Sequence, residues 1–498
     1  MNKIGLAPIF SDGMVLQQNS IIKIFGNAKE SSYIKLDFCG QHLEIKAEGP
    51  WTGEFSSISF GGPFEMQIEA EDYKHTIKDI YIGEVYVAGG QSNMEFALET
   101  SLGGIAEALK SDFPQIRYFQ VPKIEYEEEG KDYTLLNTPW EIGSSENVIK
   151  WSAIAYYFSK KLYEEIKVPI GIINCNWGGT SASSWMKEDY ITRDNTTSFY
   201  VQEYNQLISK ISDEEYENQR KEYDNKLDSY NKNLEIFVKG NPKASFGNIE
   251  KNIGAYPWPP PLGKKAYRRP SGLYNTMIKK VIPYSIKGVI WYQGEEDTLS
   301  AKVYFKLFNN LIKNWREDFQ ADIPFFFVQL PSFNDGVVGG DNWAELREAQ
   351  LETMQRDNNT AMAIAIDCGE KDNVHPINKK PVGERLAKLA LKKLYNKPIV
   401  AQGPIYESMK ISGNKIILEF SMDGSNLKFD GPKGKGFKIC SKDGDYKEAE
   451  VEIIDNKVIV YNKAIKYPVA VSYGWGNFVE VNLYNAEDLP ASPFRTKL

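Results

Sequence analysis

From residue 85 to residue 395, short apolar runs alternate with amphipathic helical patterns, and no other feature restricts the possible folds as tightly. The runs are VYVA (85–88), IRYFQV (116–121), GIINCN (171–176), GVIWY (288–292), PFFFVQL (324–330) and AMAIAID (361–367). Helical patterns such as WSAIAYYFSKKLYEEIK, YFKLFNNLIKNWREDF and VGERLAKLALKKLY separate most of them; in the last, Val382, Leu386, Leu389, Ala390 and Leu394 share one face. A strand that is apolar at nearly every position is buried on both sides. The pattern therefore predicts an α/β domain built on a parallel sheet covered on both faces, with ligands at the carboxyl ends of the strands.

The flanks have a different texture. Residues 1–80 read as an all-β module: SIIKIFGNA, SSYIKLDF, QHLEIKA, FEMQIEA and HTIKDIYI alternate with period two and are separated by glycine-bearing turns. Residues 401–498 return to β texture in KISGNKIILEF, KGFKIC, EAEVEIIDNKVIVY and YPVAVSYGW. The central domain then spans 81–400, interrupted at about 187–265. That insertion begins as a charged helical pattern, expected to be a solvated hairpin, and ends as YPWPPPLGKKAYRRP, where the prolines favour an extended loop bearing aromatic side chains.

Charge narrows the partners. A net charge of -8 over 498 residues argues against nucleic acid and offers no polybasic face to an anionic membrane. Small molecules or neutral polymers are the expected ligands. The opening MNKIGLAPIFSDGMVLQ has no signal-peptide core, so a cytoplasmic location is expected, or an exported one if the natural start lies upstream. Cys39, Cys175, Cys368 and Cys440 have neither disulfide nor metal-ligand spacing, which predicts free thiols, a reducing compartment and no metal.

The chemistry points to one serine. In VYVAGGQSNMEF (85–96), Ser92 sits where a strand turns into a helix, and glycines allow the tight turn while the free N–H groups of a helix start can face an oxyanion. Gly-Gly followed by Ser-Asn is also ordinary turn and capping chemistry, so the segment needs partners elsewhere. A serine nucleophile needs a base, and the chain has three histidines. His42 and His75 fall in the N-terminal β runs. His375 follows the strand AMAIAID and precedes a helix, where such a sheet places its site. Asp372, three residues before it, is a candidate to orient the imidazole. NWGGTSASSW (176–185) and WYQGEED (291–297) also follow strands and bring glycine-bearing loops, with the amide of Gln293, to the same edge as oxyanion donors.

Together, GQSNM around Ser92, WGGT (177–180), LYNTMI (273–278), GVIWYQGE (288–295), WAELREAQ (343–350) and VHPINKKPVGERLA (374–387) resemble the sialate O-acetylesterase family of SGNH hydrolases. The end segments FSDGMVLQ (10–17) and NAEDLPASPFRT (485–496) extend the resemblance to nearly the whole chain. It implies a flavodoxin-like, three-layer SGNH sheet with β modules at both ends, acting without cofactor or metal on an O-acetylated sugar. By motif, Ser92 would be the nucleophile, His375 the base and Asp372 its orienting acid. The N–H groups of Ser92 and Gly179 and the side chain of Gln293 would form the oxyanion hole, with Gln91, Asn93 and Glu295 as substrate contacts. Arg268, Arg269 and Arg347 are the cations to weigh for a sialic acid carboxylate, and Trp177, Trp258 and Trp291 the aromatics to weigh for stacking on sugar. The substrate alternatives are acetylated xylan or another plant polysaccharide. An acetyltransferase or a non-catalytic carbohydrate-binding protein are the remaining readings.

Overall fold

A computed structural model describes residues 4–71, 73–128, 138–241, 246–336 and 340–496. Its centre is a run of parallel strands: β1 (Tyr73–Gly90), β2 (Asp112–Gln120), β3 (Ile170–Asn176), β4 (Gly288–Tyr292), β5 (Phe325–Gln329) and β6 (Thr360–Ile364). They lie side by side in the order β2-β3-β1-β4-β5-β6. Every residue of β3, β4 and β5 is buried, which explains why these segments read as unbroken apolar runs.

Both faces of the sheet are covered by helices. Along β1, Tyr86 meets Phe158 of helix α1 (Ala153–Ile166), while Gly89, on the opposite face, lies against Trp291 and Trp315, the latter on helix α2 (Ala301–Phe319). Helix α3 (Asn342–Arg356) packs beside α2, and helix α4 (Lys380–Tyr395) beside α1. Gly383 of α4 comes so near α1 that an added Cβ would stand 2.7 Å from Tyr157 Cβ. The result is a mixed α/β structure with helix, sheet and helix layers.

The N-terminal strands join this sheet instead of standing apart. Ile22–Phe38, Gln41–Phe55 and Gly61–Ala70 pair antiparallel, and Gly61–Ala70 pairs with the first half of β1. The boundary expected near residue 80 thus falls inside one continuous strand, whose second half enters the parallel array. Residues 405–495 form additional all-β sheets with a second core that includes Ile416, Leu418, Ile439, Val458, Val471 and Phe494. Arg347 on α3 ties that unit to the centre: its buried guanidinium donates to the carbonyls of Pro331, Gly474 and Gly476.

In the insertion, a long helix (Asp213–Gly240) starts on Ser212, whose Oγ accepts from Glu215 N at 3.1 Å. It is largely exposed and packs against Phe246–Ile253; the charged stretch expected to be a hairpin is one long helix. The Pro-rich segment then returns toward the carboxyl edge of the sheet, where Trp258 meets Gly179. Among the described residues, no helix is long and apolar enough to cross a membrane.

Candidate active site

Strand register brings three loops to one place. Gly90 at the end of β1 lies opposite Asn176 of β3 and Tyr292 of β4, so the loops that follow these three strands start level with one another. The chain can leave β1 only through glycine here. Gly90 has φ +134°, and a Cβ on it would stand 2.1 Å from the Tyr292 carbonyl oxygen. Gln91 N donates to that same carbonyl at 3.0 Å, and Ser92 opens a single helical turn, Ser92–Glu95.

Ser92 Oγ lies 2.7 Å from His375 Nε2. The histidine is held by its own loop: Asn373 Oδ1 accepts from His375 N at 3.0 Å, while Asn373 Nδ2 donates to His375 O at 2.9 Å and to Glu370 Oε2 at 3.0 Å. Glu370 Oε1 in turn accepts from Ile377 N at 2.8 Å. Burial, and then the nearby charge of Lys379, lower the His375 pKa to about 4. The imidazole is therefore neutral near pH 7, as a proton acceptor must be.

Asp372 is not brought to the histidine. It lies exposed on the outside of the loop, and no hydrogen bond joins it to His375 among the described residues. The reason is local: Asn373 clamps both backbone groups of His375, and this turn leaves the preceding residue facing solvent. Ser92 and His375 form a hydrogen-bonded pair whose histidine is steadied by backbone clamps.

The loop after β3 runs against Ser92. A Cβ on Gly178 would stand 3.3 Å from Ser92 Cβ, and Gly178 N donates to Glu95 Oε2 at 2.7 Å. Gly179 has φ +66°. Among the described residues, neither its N–H nor that of Ser92 has a protein acceptor. Gly179 follows directly on the residue that packs against Ser92.

Gln293 departs from its expected role. It is wholly buried, and its Nε2 donates to Asp297 Oδ2 at 2.6 Å and to Thr180 O at 3.2 Å, which uses both amide protons. The cause is Asp297, a carboxylate that the sequence reading did not single out. Buried in the protein, it also accepts from Ser181 Oγ at 2.6 Å, Ala182 N at 2.9 Å and Tyr200 OH at 2.9 Å. Burial raises its pKa, and these hydrogen bonds draw it back. The cradle fixes the WGGTSAS loop and so sets where Gly179 sits.

The three expected substrate contacts are also spent internally. Gln91 Oε1 accepts from Gly294 N at 3.4 Å and Glu296 N at 3.3 Å. Asn93 Nδ2 donates to Glu295 Oε1 at 2.5 Å, and both groups lie beneath the site. Beside these groups stands an aromatic wall. Trp258 stands over Gly179 with 45% of its surface exposed. Trp177 stacks on Tyr267 at 4.5 Å and 10°, under the Lys123 ammonium. Trp291 is core.

The candidate arginines are engaged. Arg268 lies 4.7 Å over Trp258, donates to Gly179 O at 2.9 Å and pairs with Glu296. Burial lifts the Glu296 pKa to about 7 despite that partner. Arg269 donates to the carbonyls of Glu125, Lys265 and Ala266, and Arg347 is the buried tie already described. The acidic run Glu295-Glu296-Asp297 after an apolar strand was the available sequence signal for the Asp297 cradle.

Comparison with known proteins gives the family. The chain matches the family described as "Carbohydrate esterase, sialic acid-specific acetylesterase" over residues 82–229 and 262–392. It is 25% identical to the sialate O-acetylesterase of Mus musculus over 97% of this chain and 92% of that one. It is 24% identical to that of Homo sapiens over 89% and 81%. The crystal structure of a carbohydrate acetylesterase from Xanthomonas citri superposes with a TM-score of 0.79, at 29% identity, over 99% of both chains. With more than half of its length matched by one family, the chain belongs to the carbohydrate esterases of the sialic acid-specific acetylesterase family and is a carboxylic ester hydrolase that removes O-acetyl groups from sugars.

Proposed function

We propose that the reaction runs through an acetyl-Ser92 intermediate on a flavodoxin-like SGNH sheet, with O-acetylated sialic acid as the substrate class. The observation that carries the mechanism is the 2.7 Å contact between Ser92 Oγ and His375 Nε2, with the N–H groups of Ser92 and Gly179 unpaired among the described residues. The strand order around β1, with neighbours on either side that follow it in the chain, supports the doubly wound reading, in which a site at the switch point is expected.

In the first step His375 Nε2 takes the Ser92 proton as Oγ attacks the acetyl carbon. The negative charge that develops on the carbonyl oxygen is met by the N–H groups of Ser92 and Gly179. Each donor of this kind is worth about 10²–10³ in kcat. The C–O bond to the sugar then breaks, and the imidazolium returns the proton to the departing sugar oxygen. Water, deprotonated by the same imidazole, attacks acetyl-Ser92; the bond to Ser92 Oγ breaks, Oγ takes the proton back from the imidazolium, and acetate is released. Trp258 and the Trp177–Tyr267 stack offer apolar faces to the sugar ring.

A second substrate reading has an observation of its own. Arg268, Arg269 and Arg347 are all held by internal partners, which favours an acetylated neutral sugar over one carrying a carboxylate. Acetate release from O-acetylated sialic acid and from acetylated xylo-oligosaccharide, at matched ester concentration, separates the two. Faster release from the sialic acid supports the first reading. Faster release from the xylo-oligosaccharide replaces it with the second and keeps the mechanism.

A further inference from the structure

Asn93, one residue past the nucleophile, joins three parts of the site. Its Nδ2 donates to Glu295 Oε1 at 2.5 Å, after β4, and to Val374 O at 3.0 Å, in the histidine loop. Its Oδ1 accepts from the Lys379 ammonium at the end of that same loop. Lys379 is 1% exposed, and its Nζ lies 4.6 Å from the ring centroid of Phe96 and 5.5 Å from that of Tyr292. A buried ammonium and a buried carboxylate thus face each other through one amide. The other oxygen of Glu295, Oε2, is buried with no hydrogen-bond partner among the described residues.

This arrangement is poor economy for stability alone. A lysine in such a place loses its hydration, and a methionine or leucine would fill the space without that loss. Two features of the placement point to a role in the reaction. The first is mechanical: with no carboxylate hydrogen-bonded to the imidazole among the described residues, the bonds from Asn93 to Val374 and Lys379 help fasten the His375 loop to the Ser92 turn. The second is electrostatic. The charge acting on His375 is that of Lys379, and it adds to burial in opposing protonation. Lys379 itself is set by burial, which lowers its pKa to about 7, against the pull of Glu295, Cys368 and Glu370; Glu295 in turn feels Lys379 and Asp297.

We propose that Lys379 is a positioning residue for the Ser92–His375 pair, fastening the His375 loop to the Ser92 turn through Asn93 and placing a buried positive charge beneath that loop. The proposal rests on the reading of Ser92 and His375 as the reacting pair. It predicts opposite behaviour for two substitutions at one position. Lys379→Gln keeps a donor for Asn93 but removes the charge, and should move the acid limb of kcat/KM upward by about one pH unit. Lys379→Arg keeps the charge, and its acid limb should stay within about 0.3 unit of the parent's even if the plateau falls. An acid limb that stays or moves down in Lys379→Gln would overturn the proposal, as would an equal upward shift in both variants.

A measurement on the unaltered chain keeps the proposal testable if a variant fails to fold. With only three histidines, the His375 ring can be followed by nitrogen-edited NMR through a pH titration. A midpoint well below the ordinary value of about 6.5 is expected, and a midpoint at or above it would overturn the proposal. The titration needs no turnover. A depressed His375 midpoint in a chain with no esterase activity would sink the catalytic reading, and an unchanged midpoint in Lys379→Gln would overturn the effect of Lys379 on the ring.

Discussion

Replacing Gly179 by alanine separates the oxyanion account from simple crowding. The new Cβ would stand 1.8 Å from Trp258 Cη2. Carbon atoms in contact sit about 3.5–4.0 Å apart, so ring or loop must shift by roughly 2 Å. Trp258 is exposed enough to move. The backbone is less forgiving, since φ is +66° and a residue with a Cβ gives up about 1–2 kcal/mol to remain there. The loop relieves that strain by rotating the Gly179 N–H away from the acetyl oxygen, and one lost donor costs about 10²–10³ in kcat. Stability should therefore fall by only about 1–2 kcal/mol in urea unfolding, while kcat on p-nitrophenyl acetate falls by about 10²–10³. A kcat within about threefold of the parent's would refute the assignment of Gly179 as a donor. Adding Trp258→Ala to the same variant removes the clash but not the strained φ. Activity should stay low in the double variant; recovery would show that ring displacement, not donor loss, was the cause.

Other consequences can be checked with the same assays. Asp372→Ala should leave kcat/KM within about threefold of the parent's, because the residue is exposed and unbonded to His375; a fall approaching the roughly 10⁴ typical of a triad acid would return it to the site. Asp297→Ala strands the four donors of its cradle and should cost about 3–5 kcal/mol in urea unfolding. An unchanged unfolding midpoint would mean that the cradle does not hold the WGGTSAS loop.

The parallel sheet was legible because two-sided burial leaves a mark at every position of β3, β4 and β5. The division near residue 80 was not. Along β1 the pattern changes from half-exposed alternation to continuous burial, which looks like a change of domain, yet it is one strand passing from an open sheet into a covered one. Ser92 and His375 could be paired from sequence because histidine is scarce and both follow strands. The fate of Asp372 could not be read, since D-x-x-H spacing is silent about which way a loop turns and Asn373 decides it here. Gln293 looked available because an amide after a glycine-bearing strand end suits an oxyanion. What claims it is a carboxylate four residues on, and sequence does not show that Asp297 is buried. Trp258 lies in a Pro-rich segment with no periodicity, so nothing in the sequence placed it over Gly179.

The central claim is that Ser92 is the nucleophile. Its most direct test is the rate of acetate release from an O-acetylated sugar by Ser92→Ala beside the parent, with both shown to be folded by circular dichroism. The dyad predicts a loss of at least about 10⁴-fold with the fold intact. Release at the parent's rate would contradict it and leave the 2.7 Å contact with His375 as no more than a hydrogen bond.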